Sequence, residues 1–164
     1  MDSEFWIGLR LLLLLAAANT APIVLKRVLG SRWNAPIDGG RLFPDGRPWL
    51  GASKTWRGLA GATVVAALLA PVLGLRVEDG ALLGAHAMAG DAAASFVKRR
   101  MGIRSSGRAF GLDQVPEALL PLLVLRDALG LDWWTIAAVT IAFLVLEVPG
   151  AWLSWRAGLR DEPY

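Results

Sequence analysis

Apolar residues in this chain gather in long blocks, separated by shorter stretches where charge, glycine and proline collect. Strict alternation would predict half-buried strands, whereas blocks of this length predict helices that are apolar nearly all round. A helix crossing a bilayer needs about 20 mostly apolar residues to span roughly 30 Å of hydrocarbon. Five windows approach that length: Phe5 to Val28, Gly58 to Leu75, Gly80 to Val97, Pro116 to Leu131 and Trp133 to Trp155. The expected fold is all-α, a single polytopic integral membrane domain over residues 1–164 with about five transmembrane helices. The third and fourth windows are the weakest. One holds His86 and Asp91, and the other is short and carries Glu117, two prolines and Arg126.

Composition supports this reading, because 55% of the residues are hydrophobic, too many for an ordinary soluble domain. A cleaved signal peptide is a poor reading of the first block. Its leading charges are acidic (Asp2, Glu4), Pro22 follows Ala21 at the would-be cleavage point, and the apolar run resumes after it. With no cysteine, there is neither a disulfide framework nor thiol chemistry.

The cations give an orientation, because Lys and Arg are retained in cytoplasmic loops. The segment from Lys26 to Arg57 holds seven: Lys26, Arg27, Arg32, Arg41, Arg47, Lys54 and Arg57. Lys98, Arg99, Arg100, Arg104 and Arg108 follow the third, and Arg156 and Arg160 follow the fifth. With five spans these regions share one side, which predicts two cytoplasmic loops, a cytoplasmic C-terminus and an N-terminus outside. The net charge of +3 is then an asymmetry across the cytoplasmic membrane, with a basic face toward anionic headgroups, rather than a nucleic-acid signal.

The loop from Ser31 to Gly58 is rich in Gly, Pro, Asn and Asp and reads as ordered turns. Trp33, Trp49 and Trp56 favour a position at headgroup level. Just before the second window stand Lys54, Thr55 and Arg57, where a helix N-terminus would favour phosphate. The Walker pattern is absent, so Lys-Thr alone carries little.

An ionisable group inside a spanning segment is costly, which makes Asp91 a functional candidate. On a helix, Asp91, Ser95 and Lys98 share one face with Arg99 close by, and Gly84, Ala87 and Met88 continue that stripe; His86 points away. The stripe of small residues suits close helix approach and is compatible with a homodimer. Asp113 reads as the N-cap of the fourth helix, with Glu117 one turn later. In an antiparallel hairpin Asp91 and Asp113 converge at one membrane boundary. Magnesium takes one or two carboxylates plus phosphate oxygens and water, and Lys98, Arg99 and Arg100 can hold the remaining phosphate charge. The pattern therefore suits a Mg²⁺–nucleotide site with Asp91, Asp113 and, in addition, Glu117 as candidate metal ligands.

With one histidine and no cysteine, neither zinc chemistry nor a hydrolytic triad is supported. Attack by a phosphate oxygen on a nucleotide phosphorus needs no general base, since the nucleophile is already an anion, and catalysis becomes positioning and charge neutralisation. The CDP-alcohol phosphotransferase signature is not met, because the trailing aspartates do not follow "DGGR" or "DGRP". A transporter using Asp91 as a cation site would spread polar residues through membrane depth, but here they gather at the cytoplasmic end. A non-catalytic scaffold would not require acids and bases to converge.

"NAPIDGG" (34–40), "DGRPWLGASKTWRG" (45–58), "GDAAASFVKRRMG" (90–102) and "LDQ" (112–114) resemble, in this order, the CDP-archaeol synthase family, compact relatives of the CDP-diacylglycerol synthases. The resemblance runs from "ANTAP" in the first window to the start of the fourth. It implies a five-helix membrane cytidylyltransferase that joins CTP to a glycerolipid phosphate, such as a di-geranylgeranyl-glycerol phosphate, with Mg²⁺ and release of pyrophosphate. By the same resemblance Asp91, Lys98 and Asp113 are the catalytic candidates. Asn34, Asp38, Lys54, Thr55, Arg57, Ser95, Arg99 and Arg100 are candidates for binding CTP, with Pro36 in the same first-loop motif. Asn19 and Pro22 face the lipid side, since a proline there frees a backbone carbonyl and kinks the helix. The pattern departs at Pro116, where the broader superfamily leads one to expect an acid; either Glu117 substitutes or one carboxylate serves there. A fatty-acyl phosphatidate shares the headgroup, so these residues leave the tail class open.

Overall fold

The computed structural model describes residues 2–105, 107, 109 and 111–158. Arg108 and Arg160, counted above among the cytoplasmic cations, lie outside the described residues. The described chain forms five α-helices: α1 (Asp2–Leu29), α2 (Trp56–Leu69), α3 (Val77–Arg100), α4 (Gln114–Leu129) and α5 (Trp133–Arg156), with a 3₁₀ turn at Pro71–Leu73. No strand forms among the described residues, only two isolated bridges, Pro36 with Thr55 and Leu42 with Pro48. Each expected window contains one helix, so the all-α expectation holds.

Local chemistry sets the helix ends. Thr55 Oγ1 accepts the Gly58 amide at 3.1 Å, which starts α2 two residues before its apolar window. Pro71 cannot continue the α-helical hydrogen bonding, so the expected single span to Leu75 breaks into α2 and the 3₁₀ turn. The Asp132 carboxylate caps α5 through Thr135 N–H at 2.7 Å. Gly74 and Gly130 close the preceding helical segments with φ of +73° and +63°, angles at which a Cβ would clash. Pro22 sits inside an unbroken α1, with its ring against Gly58 of α2.

Three helices are long and apolar enough to cross a membrane: residues 4–29, the stretch from Trp56 through the 3₁₀ turn to Leu73, and α5. The weaker α3 and α4 pack against each other, and α3 also packs on α2 and α1, so α3 is central. A helix shielded by neighbours has less need of an apolar surface, which explains its low hydropathy. It replaces bulk with close approach: a Cβ on Gly84 would lie 2.6 Å from the Ala62 carbonyl oxygen of α2, and one on Gly80 would overlap the Ala66 carbonyl. Gly90 meets the Pro116 carbonyl of α4 in the same way. The stripe that suggested a homodimer is therefore covered within the chain, with Gly84, Ala87 and Met88 all buried. Leu11, Leu14 and Leu15 of α1, Leu83 of α3, and Leu122 and Leu125 of α4 fill the core beside it.

Candidate active site

Two lysine–aspartate pairs stand at the end of the bundle where α3 finishes and α4 begins. Lys54, two residues before α2, donates to Asp91 Oδ2 of α3 at 2.5 Å. Lys98, two turns further along α3, lies 2.5 Å from Asp113 Oδ1 and donates to the Gly107 carbonyl at 3.0 Å. Both pairs are largely shielded from solvent, and Lys98 more so. Burying an ion pair is costly unless geometry and further hydrogen bonds compensate. Two such pairs at one helix boundary therefore make weak stabilisers and a concentrated reserve of both charges.

Arg99 lies between them in kind. Its side chain is 4% exposed, it enters no ion pair among the described residues, and its Nε makes only a long 3.5 Å bond to the Ser95 carbonyl. Asp113 is within electrostatic reach of it. A buried guanidinium without a carboxylate partner is suited to receive an anion, and its planar fork matches phosphate oxygens. Ser95, one turn before it, is 2% exposed on the same helix.

Asp113 corrects one expectation. It stands at the N-terminal boundary of α4, but its side chain does not cap that helix and its backbone is already helical. The carboxylate instead faces Lys98 and accepts the Ala109 amide at 3.2 Å, while Gln114 reaches back to the Gly111 amide at 2.7 Å. The ion pair across helices outcompetes the local cap.

Glu117 follows one turn later, 4% exposed, with Oε1 buried and without a hydrogen-bond partner. Asp91, Asp113, Lys54 and Glu147 all lie within electrostatic reach of it. Glu147, on α5, is a carboxylate that the sequence reading passed over; its Oε2 is likewise buried and unpartnered. The signal was present, a lone acid in the most apolar helix, two residues before Pro149.

Among the described residues, no three His, Cys, Asp or Glu side chains gather as a metal cage. Mg²⁺ brought by a nucleotide would need only one or two hard oxygen ligands from the protein, its shell being completed by phosphate and water. Asp91 and Asp113 are the carboxylates that would supply such oxygens, and the unpartnered Glu117 Oε1 is a third carboxylate oxygen nearby without a hydrogen bond.

The first-loop candidates occupy a different tier. Asp38 binds backbone, accepting from Gly40 at 2.9 Å through Oδ1 and from Leu50 and Gly51 at 3.0 and 2.9 Å through Oδ2. Burial works to raise its pKa, but these amide bonds together prevail and hold it below the usual aspartate value. Asp38 also lines a cleft of about 550 Å³ whose walls include Arg41, Trp49 and Trp56. A folded pKa below the unfolded one means that the charge stabilises the loop above the ordinary aspartate range and is lost as pH falls through the lowered value. Asp38→Ala is expected to raise hydrogen exchange at Leu50 and Gly51 by about tenfold or more at neutral pH, since each bond to a charged acceptor contributes roughly 1.5–3 kcal/mol. Unchanged protection would remove Asp38 as organiser of the loop.

Arg57, in the first turn of α2, ties the start of the same loop to that helix, donating to the Gly30 and Arg32 carbonyls at 2.9 and 2.6 Å and to Asn34 Oδ1 at 3.1 Å. Thr55 is buried as the α2 cap, and Pro36 bridges to it. Arg100 is engaged by the loop between Leu42 and Trp49 rather than directed at the two pairs. Asn19 is half-buried on α1. The structure thus brings Lys54, Asp91, Ser95, Lys98, Arg99, Asp113 and Glu117 to one end of the bundle, while Asn34, Asp38, Thr55, Arg57 and Arg100 build the frame around it.

Known proteins resemble this chain over most of its length. The family profile described as CarS-like: CDP-archaeol synthase matches residues 72–164. A CDP-archaeol synthase of Thermococcus kodakarensis is 33% identical over 163 residues, covering 90% of this chain and 89% of the relative. That of Aeropyrum pernix is 37% identical over 156 residues, covering 90% and 85%. A solved structure described as an intramembrane enzyme for archaeal membrane lipid biosynthesis superposes with a TM-score of 0.68 at 32% identity, covering 86% of this chain and 90% of that one.

Proposed function

Because this chain belongs to the CDP-archaeol synthase family, we propose that it is a CTP-dependent cytidylyltransferase that converts an isoprenoid ether-linked glycerol phosphate into its CDP-lipid and pyrophosphate. The observation that carries the reading is the pair of shielded Lys–Asp contacts beside the buried, uncommitted Arg99. A lipid phosphate oxygen attacks the α-phosphorus of CTP, one phosphorus–oxygen bond forms, and the bond to the β-phosphate bridging oxygen breaks. No proton need be removed from the nucleophile.

The chain's own groups then perform charge work. Lys54 and Lys98 turn from their aspartates toward phosphate oxygens, and Arg99 takes a share of the negative charge that builds on departing pyrophosphate. Asp91 and Asp113, released from the lysines, are the carboxylates that would hold Mg²⁺, with Glu117 beside them. When bound, Mg²⁺ neutralises the triphosphate and orients its oxygens. Enclosure of Ser95, Arg99 and Glu117 lowers the local dielectric and strengthens each contact.

All five helices cross the membrane in this reading, with the N-terminus outside. The loops at residues 30–55 and 101–113 and the C-terminus lie in the cytoplasm, where CTP is available. The cation asymmetry supports that orientation. The apolar outer faces of α1, α2 and α5 hold the bilayer and the lipid tails. The test offers purified protein CTP and Mg²⁺ with either a di-isoprenyl glycerol phosphate or a diacyl phosphatidate, scoring pyrophosphate and CDP-lipid. Product from the ether lipid is expected; product from phosphatidate alone would reverse the tail assignment, and none from either, in folded protein, would overturn the activity.

A further inference from the structure

Between Leu42 and Pro48 the first loop folds into a small hairpin, closed by Phe43 N–H to the Arg47 carbonyl at 2.7 Å and Gly46 N–H to the Phe43 carbonyl at 2.9 Å. This hairpin and the C-terminus of α3 grip each other through reciprocal arginines. Arg47 donates to the Arg100 carbonyl at 2.5 Å, an oxygen at the helix end with no intrahelical partner, and to the Arg99 carbonyl at 3.3 Å, which also accepts the Gly102 amide at 3.1 Å. In return Arg100 donates to Asp45 Oδ1 at 2.6 Å, and to the carbonyls of Arg47, at 3.4 Å, and Pro48. Its guanidinium lies 4.4 Å from the Phe43 ring centre and 5.1 Å from that of Phe96, and Trp49 packs on both rings.

The grip continues to the site. Past Pro48 the chain is held by Asp38 through Leu50 and Gly51, the Gly51 carbonyl accepts the Lys54 amide at 3.2 Å, and the Ile37 amide binds the Lys54 carbonyl at 2.8 Å. Lys54 then reaches Asp91, more than two turns before Arg100 on the same helix. The first loop therefore touches α3 at two points, and the remote one bears no reacting group.

We propose that Arg100, Asp45 and Arg47 form a latch whose task is to position Lys54 opposite Asp91 for CTP, so that Arg100 is a positioning residue and not a phosphate ligand. This rests on the cytidylyltransferase reading, yet its structural half can be read without turnover. A free Lys54 loop would have to be ordered by each incoming nucleotide, which weakens binding by the ordering cost and leaves the chemistry of the bound complex largely intact.

The experiment compares Arg100→Gln, Arg100→Lys, Asp45→Asn and the Arg100→Gln/Asp45→Asn double variant, full length in lipid nanodiscs. Readouts are hydrogen exchange over residues 48–55 and steady-state kinetics in CTP. The expected result is lost protection in every variant and KM for CTP raised about tenfold, with kcat at saturation within about threefold. The double variant should be no worse than the Arg100→Gln single. Arg100→Lys should fail like Arg100→Gln, because an ammonium cannot fork between the Asp45 carboxylate and two carbonyls. Rescue by lysine, a fall in kcat at unchanged KM, or a silent Asp45→Asn would give Arg100 a direct role on phosphate and overturn the latch, as would unchanged exchange over 48–55. If the unaltered protein turns over no CTP, the activity reading fails while exchange still decides the latch.

Discussion

Asp91→Asn and Asp113→Asn are each expected to lower CTP turnover at least about 10³-fold while the protein still inserts and folds. Asparagine keeps the volume of the side chain and removes one charge. At Asp91 this deprives Lys54 of its anionic partner, and at Asp113 it leaves Lys98 with neutral acceptors alone, the Gly107 carbonyl among them. Removing one oriented group that stabilises transition-state charge commonly costs 10²–10³-fold, and here two functions are lost together, the carboxylate toward Mg²⁺ and the orientation of the lysine. If the pairs were merely structural, the variants would melt earlier but turn over normally per folded molecule. Thermal melting in detergent beside CDP-lipid formation separates these cases, and retained activity in both variants would sink the site.

The second large effect is steric and lies one residue away. Gly90→Val is expected to unfold or aggregate the protein, and Gly90→Ala to lower its melting temperature and reduce turnover by about 10²-fold. A Cβ at Gly90 would overlap the Pro116 carbonyl and sit 2.8 Å from the Glu117 amide, both backbone atoms that cannot rotate aside. The helices would have to separate, and overpacking of this kind costs about 1–3 kcal/mol or more. Because Gly90 precedes Asp91 and Pro116 precedes Glu117, separation also pulls apart the carboxylates, and about 1 Å of misplacement can cost 10²-fold in rate. Gly150→Ala is the control. Nothing lies within 4 Å of its added Cβ in α5, so no loss of melting temperature is expected. Equal effects at both positions would show that the α3–α4 contact is not the cause.

Pro116, where this chain departs from the expected pattern, is also where the Gly90 contact is made. In the first turn of α4 the backbone N–H groups have no intrahelical acceptor, so a proline costs little there, and its carbonyl is the surface on which α3 closes. Glu117, one residue later, is buried. Glu117 is thus set by helix packing as much as by its own chemistry.

Much was readable along the chain itself. Five helices follow from five apolar blocks, because burial of backbone in an apolar medium leaves helix as the structure that satisfies every N–H and C=O locally. Asp91 stood out because a charge in such a block is costly enough to need a purpose, Lys98 because it shares the Asp91 helix face, and Asp113 because it starts the next helix at the same end. What decided their partners was tertiary. Lys54 meets Asp91 across 37 residues and Arg100 meets Asp45 across 55, distances over which no periodicity carries information. Asp113 illustrates the difference: its position before a helix predicts a cap, but a lysine brought in by α3 offers the stronger electrostatic partner. Glu147 joined the site only when α5 packed on α4. Hydropathy is a property of a segment and is legible in it, whereas an ion pair is a property of two segments and exists only once packing has brought them together.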